Sequence, residues 1–181
     1  MHVLFVCTAN QCRSPIAQAL FEAQRLDKIT ATSAGLLPGG RPMPRDGVVR
    51  LAERGIDLSG HVSVELTDNA VAGADLIIGM SRRHVRTVVA DHTNTRRRCF
   101  TLKDFVRRAE HLGPTSGLEA LLAALDTGRP TRALLGRDDA DDVTDPMGRP
   151  GRVWDSVIAE LSDQTARLSR ILAALPIRAP A

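Results

Sequence analysis

The chain has no tyrosine, one tryptophan and four phenylalanines, and only two lysines, Lys28 and Lys103. Its net charge of +3 therefore comes from arginine spread along all 181 residues. The densest basic run, Arg96-Arg97-Arg98, is short and has no aromatics within it. A nucleic-acid surface of the stacking kind needs both, so no nucleic-acid partner is expected. No apolar stretch approaches the length of a membrane span, which leaves no membrane partner. The run Val3–Val6 is too short for a signal-peptide core and has no basic segment before it, so a cytoplasmic location is expected. Three cysteines, an odd number in a chain this long, do not make a disulfide framework. The length suits one domain with one good core.

What is present is an alternation. His2–Val6 is a β-branched apolar run of the kind buried on both faces in a parallel sheet. After the polar stretch Cys7–Ser14 come apolar residues at Ile16, Ala19, Leu20, Ala23 and Leu26, a helical spacing, with Ser14 suited to cap it and Pro15 to open it. Further strands are expected at Ile29–Ala34, Ala74–Met80 and Arg98–Leu102. Helices are expected at Arg45–Arg54, stopped by Gly55, after Met80 through about Ala90, at Lys103–His111, and at Val153–Leu175. Strands alternating with helices indicate an α/β layer fold with a parallel sheet. The tail Pro176–Ala181 carries two prolines and is expected to fray, so the domain is read as 1–176.

A strand–loop–helix junction offers an anion the unsatisfied N–H groups and positive dipole end of the helix. Here that junction starts with Cys7 and ends with Arg13. A thiol beside a helix N-terminus and a guanidinium is poised as a thiolate nucleophile, and Arg can grip two phosphate oxygens at once. Ser14 can donate its hydroxyl to the thiolate. The bland alternative is a small buried Cys7 and a solvated Arg13; Cys-x5-Arg alone is a weak pattern, and its surroundings are what lift it. A proton donor is also needed. Asp145-Pro146, just before the last helix, supplies a carboxylate on an extended backbone, or else it is only a turn.

The stretch from Val3 to Leu20 resembles the signature of the low-molecular-weight protein tyrosine phosphatases, in the bacterial branch that includes protein-arginine phosphatases. Further matches follow in order: Thr32–Gly35, Arg54–Ile56, His61–Ser63, Ala74–Leu76, Phe100–Lys103 and Asp145-Pro146. The resemblance covers 1–106 and 143–175. It implies a single α/β domain built on a four-stranded parallel sheet with helices on both faces. It implies hydrolysis of a phosphomonoester on a protein substrate through a cysteinyl-phosphate on Cys7, with Asp145 as general acid and base. The phosphate would sit on the loop Thr8, Ala9, Asn10, Gln11, Cys12, Arg13 and Ser14, and Asn10, Ser14, Ser33 and His61 match the network that holds the loop. No metal or organic cofactor is implied. Cys12 matches a position that forms a reversible disulfide with the nucleophile in family members, protecting it from over-oxidation; the alternative is a small buried filler.

Several departures bear on substrate. Ala9 stands where the family usually has Gly. Gln11, at the pocket wall, is neither the apolar residue frequent in tyrosine phosphatases nor the Thr of arginine phosphatases. The rim is expected from Gln11, Leu36, Leu37 and Met147, with no aromatic to sandwich a phosphotyrosine ring. Phosphotyrosine ranks first as substrate and phosphoarginine stays open. A non-catalytic phosphate-binding module would usually lack the nucleophile, the arginine or the acid, and none is lacking. Arsenate reductases of the thioredoxin-coupled kind share the loop but need two further cysteines close together, and Cys99 stands alone. The segment 109–142 reads as an insertion with a helix-like Leu118–Leu125, a Gly-Arg-Pro turn and the acidic run Asp138–Asp142. It is either a surface elaboration or a lid, since long insertions are tolerated cheaply. The oligomeric state is not specified.

Overall fold

The computed structural model describes residues 1–129 and 136–176. The apolar run near the N-terminus forms β1 (His2–Cys7), which lies between β2 (Thr30–Gly35) and β3 (Leu76–Gly79); β4 (Cys99–Thr101) completes the order β2-β1-β3-β4. All three pairings are parallel, with Val3 opposite Ala31 on one side and Leu76 on the other. A strand with two neighbours and helices on both faces must be apolar on every residue, and Val3 through Val6 are all buried.

The period of two along β1 divides the interior. Val3, Phe5 and Cys7 face a core shared with α1 (Arg13–Glu22), α2 (Arg45–Ala52) and α7 (Gly151–Ala173), the last bringing the buried Trp154. The same core takes α5 (Leu102–Glu110) and α6 (Leu118–Asp126). Leu4 and Val6 face a smaller core with α3 (Asp68–Ala72) and α4 (Arg82–Asp91). A 3-10 helix, Thr93–Arg98, leads into β4.

Most of the sequence elements stand within two residues of expectation, and the exceptions have physical causes. Helix α1 stops at Glu22, because Gln24 and Arg25 make tighter backbone bonds to Phe21 and Glu22, and Arg25 turns left-handed at φ 51°. Leu26 keeps its helical spacing because it packs on the core from the following loop. Ser14 does not cap α1: the helix begins one residue earlier, at Arg13, and the Ser14 hydroxyl is turned toward Cys7. Pro15 is thus the third helical residue, still among those whose N–H has no intrahelical acceptor. Gly55 does end α2. At φ 75° it lets Ile56 N–H reach the Leu51 carbonyl and Gly55 N–H reach that of Ala52, while Ile56 packs on the core.

The arginine run binds its own chain. Arg96 donates to Asp126 and to the Arg129 carbonyl, and Arg98 to the Ala74 carbonyl. The Arg129 guanidinium is buried over the Phe100 ring, 4.2 Å from its centroid, and donates to Arg96 and Cys99 carbonyls. Through these contacts α6 is fastened beneath β4. Pro130, the last residue of the expected turn, and the expected tail 177–181 lie outside the described residues.

Candidate active site

Cys7 is the last residue of β1, at the point where the chain has built β2 on one side and goes on to build β3 on the other. In open α/β sheets such a switch point leaves a crevice at the carboxyl ends of the strands. The loop from Cys7 to α1 curls there, and the first intrahelical bond runs from Ile16 N–H to the Cys12 carbonyl. The Cys7 Sγ accepts from Asn10 N–H at 3.2 Å and from the Ser14 hydroxyl at 3.0 Å. The Ala34 carbonyl is the hydroxyl's other possible acceptor, at 3.3 Å; one proton serves one of them at a time, and the sulfur is nearer.

Asn10 is fully buried at φ 51°, a left-handed conformation that Asn tolerates better than most residues. Its amide donates to Ser14 Oγ and Ser33 Oγ, at 3.0 and 2.9 Å, and its side-chain oxygen accepts from Val64 N–H at 2.9 Å. His61 Nε2 donates to the Asn10 carbonyl at 2.6 Å. The four residues expected to support the loop, Asn10, Ser14, Ser33 and His61, are thus one hydrogen-bonded cluster. Gly35 lets β2 come close: a Cβ there would stand 2.7 Å from the backbone of Ala9 and of Asn10.

Arg13, at the start of α1, is buried. Its Nη2 donates to Asp145 Oδ2 at 2.6 Å and its Nη1 to the Val143 carbonyl at 3.2 Å, while its buried Nε has no partner among the described residues. Asp145 Oδ1 accepts from Met147 N–H at 3.1 Å, and the carboxylate remains half-exposed. Residues 138 positions apart in sequence, Cys7 and Asp145, therefore meet through Arg13.

The loop that carries Asp145 is pinned by the acidic run. Arg82 Nε donates to Asp141 and Nη2 to Asp138, at 2.7 and 2.6 Å, and Arg82 N–H donates to Asp142 at 2.7 Å. Arg107 donates to the other oxygen of Asp141, at 2.8 Å, and Val143 N–H to the Met80 carbonyl.

Beside the loop opens a cavity of about 390 Å³. Thr8, Arg13, Ser81, His84 and Asp145 are among the residues that line it. None of the four expected rim residues is in this lining. Gln11 folds back and donates from Nε2 to the Pro42 carbonyl at 2.9 Å. Leu36 is packed on the smaller core, whereas Leu37 and Met147 are exposed. Their backbones explain it: Leu36 and Leu37 N–H groups donate to the Cys7 and Thr8 carbonyls, so this segment runs along the loop rather than over it.

One residue of the cavity, His84, had no distinguishing signal in the sequence. His84 is buried, with Nε2 2.9 Å from Thr8 Oγ1 and Nδ1 2.8 Å from Ser81 Oγ. Burial, then the charges of Arg13 and Arg83, push its pKa down to about 3, so it is a neutral imidazole with one donor and one acceptor nitrogen. One hydroxyl donates to it and the other accepts. Helical period alone would mark His84 as one more inward-facing position of α4. Cys12 is also buried, and desolvation, then the charges of Asp145 and Cys7, push its thiol up to about 12.

This arrangement has known counterparts. The model of the low molecular weight phosphotyrosine protein phosphatase family matches residues 2–115. The chain belongs to that family. It is a cysteine-based phosphatase. Among family relatives, the protein-arginine-phosphatase of Bacillus subtilis is 39% identical over 111 residues, covering 59% of this chain and 73% of that one. The solved YwlE arginine phosphatase of Geobacillus stearothermophilus superposes with a TM-score of 0.72 at 28% identity, covering 93% of this chain and 90% of that one. A low molecular weight protein tyrosine phosphatase from T. tengcongensis superposes with a TM-score of 0.70 at 32% identity, over 93% and 97% of the two chains. The four-stranded parallel sheet is common to the family. No helix among the described residues is long and apolar enough to cross a membrane.

Proposed function

We propose that the chain hydrolyses phosphomonoesters on proteins through Cys7, with phosphotyrosine as the first substrate to test. The observation that carries this is the Cys7 sulfur held by Asn10 N–H and the Ser14 hydroxyl, with Arg13 bridging from the same loop to Asp145. Backbone N–H groups of residues 8–14 and the Arg13 guanidinium, whose Nε is free, cradle the phosphoryl oxygens. As the phosphate takes Arg13, Asp145 is released from its ion pair and can hold the proton for the leaving oxygen. Cys7 Sγ attacks phosphorus, the P–O bond breaks and the proton passes from Asp145 to the departing oxygen. Asp145 then takes a proton from water as that water attacks the cysteinyl-phosphate, and Ser14 donates to the departing thiolate.

Initial rates on phosphotyrosine, phosphoarginine and phosphoserine peptides test the reading. Cys7→Ser should abolish turnover while retaining oxyanion affinity, and Asp145→Asn should slow it by about 10²–10⁴-fold. Turnover that survives Cys7→Ser would refute the mechanism. A phosphoarginine preference is the second reading, favoured by the two relatives named as arginine phosphatases. A preference for the nitrogen-linked phosphate in the rates would establish it. Arsenate reduction is disfavoured because Cys99 is buried in β4, in the smaller core, on the opposite face of the sheet from Cys7.

Cys12 fits a resolving thiol: protonated at rest, it attacks only once Cys7 is a sulfenic acid, giving a disulfide and water. Peroxide inactivation that thiols reverse equally well in Cys12→Ser would end that idea. We read 109–142 as an insertion whose acidic end fixes the Asp145 loop through Arg82 and Arg107. A thiol-dependent enzyme suits a reducing compartment such as the cytoplasm.

A further inference from the structure

Three arginines from three separate segments line the cavity beside the Cys7–Ser14 loop, together with Thr8, Arg13 and Asp145: Arg83 in the first turn of α4, Arg137 just ahead of the acidic run, and Arg149 in the turn after Asp145-Pro146. All three are exposed, and none makes a hydrogen bond or ion pair among the described residues through its side chain. The surrounding cations behave differently: Arg13 is paired with Asp145, Arg82 with Asp138 and Asp141, and Arg107 with Asp104 and Asp141. Of the carboxylates in the lining, Asp145 is taken by Arg13 and Asp142 by the Arg82 N–H, which leaves Asp139. Three uncommitted positive charges thus face one uncommitted negative charge.

Folding stability does not account for this placement. Arg83 stands at the positive end of the helix dipole, and α4 has no acidic residue in its first turn. Arg149 sits in a turn closed by its own N–H to the Pro146 carbonyl at 3.0 Å, a bond that does not involve its side chain. A cationic wall inside a concave site focuses field on an anionic ligand.

We infer that Arg83, Arg137 and Arg149 form a subsite for a carboxylate flanking the phosphorylated residue, so that this enzyme selects acidic phosphopeptides. This rests on the phosphatase reading of the same site. A guanidinium binds a carboxylate in a bidentate fork. Successive residues of an extended peptide lie about 3.3–3.6 Å apart, so a Glu within a few positions of the phosphoresidue falls on this wall while the phosphate occupies the loop.

The test compares peptides that differ only in Glu or Gln beside the phosphoresidue, in a phosphotyrosine and a phosphoarginine series. For the wild type, kcat/KM should favour the Glu peptide by about tenfold, the size that two or three exposed ion pairs supply together, and the ratio should shrink at high salt. In the triple variant R83Q/R137Q/R149Q the ratio should fall to about one, whereas R83K/R137K/R149K, which keeps the charge and loses the fork, should keep only part of it. Equal rates for both peptides in the wild type, or a ratio that survives the Gln substitutions, overturns the inference. If no peptide and no aryl phosphate is turned over, the phosphatase reading fails instead. The subsite is then decided by calorimetric binding of the same peptides to Cys7→Ser protein. Tighter binding of the Glu peptide that disappears with the three Gln substitutions supports it, and equal binding overturns it.

Discussion

The two walls of the phosphate loop are built on opposite terms. On the β2 side the side chains that support the loop are partnered inside the protein: Asn10 alone engages Ser14, Ser33, Val64 and His61, and Gly35 leaves no room between strand and loop. On the α4 side Thr8 is tied to His84 and His84 to Ser81, but Arg83, Arg137 and Arg149 are presented to solvent. A wall whose donors and acceptors are all satisfied holds a shape and has nothing left for a ligand. A wall with unspent charge costs the fold something and is where selectivity can reside.

This contrast can be broken experimentally, beginning with folding stability. Gly35→Ala drives a methyl into two backbone segments that cannot swing aside, so a loss of about 2–3 kcal/mol is expected. The loop shift should cost about a hundredfold in kcat. Urea unfolding and steady-state rates check both, and an unchanged Tm would show that the β2 wall has slack. Asn10→Ala should come next, at about 2 kcal/mol, because it leaves Val64 N–H without its acceptor and removes the residue that tolerates φ 51°. Asn10→Gly should recover the backbone part of that loss only.

On the other wall the sign of a pH effect is informative. In the unfolded chain His84 binds a proton below about its ordinary 6.5, while in the folded protein burial holds it neutral down to about 3. The unfolded state therefore binds more protons across that window, and stability is lost as pH falls through it. His84→Gln should be less stable than wild type at neutral pH, and calorimetry should show the gap closing toward acid. A gap that widens toward acid would mean that His84 is charged in the fold. The smallest effect is expected from Gln11→Ala, within about 0.5 kcal/mol, because it removes one exposed bond to the Pro42 carbonyl.

Legibility in the sequence followed the range of the interaction. The strands and the amphipathic helices were readable because their signal is local periodicity, and Cys7, Arg13 and Asp145 stood out as candidates because phosphate chemistry constrains residue type and spacing. Helix α3 was not read, being only five residues long, too short for a helical period to show. Nor was the end of α1, since Leu26 obeys the period from a loop. Ser14 looked like a helix cap because its propensity is local, yet its hydroxyl answers to Cys7, seven residues away. The directions of Gln11 and Leu36 were not readable, because they depend on how the 35–44 segment lies along the loop.

The sequence by itself determined the class of fold, the strand–loop–helix junction and the candidate nucleophile, Cys7. These depend on burial pattern and on side-chain chemistry that no other residue type supplies. Only the tertiary structure decided that His84 stays neutral against Thr8, that Asp138–Asp142 anchors the Asp145 loop, and that three arginines line one cavity. Each of these is a contact between segments far apart in the chain, where distance, desolvation and the count of remaining partners set the outcome.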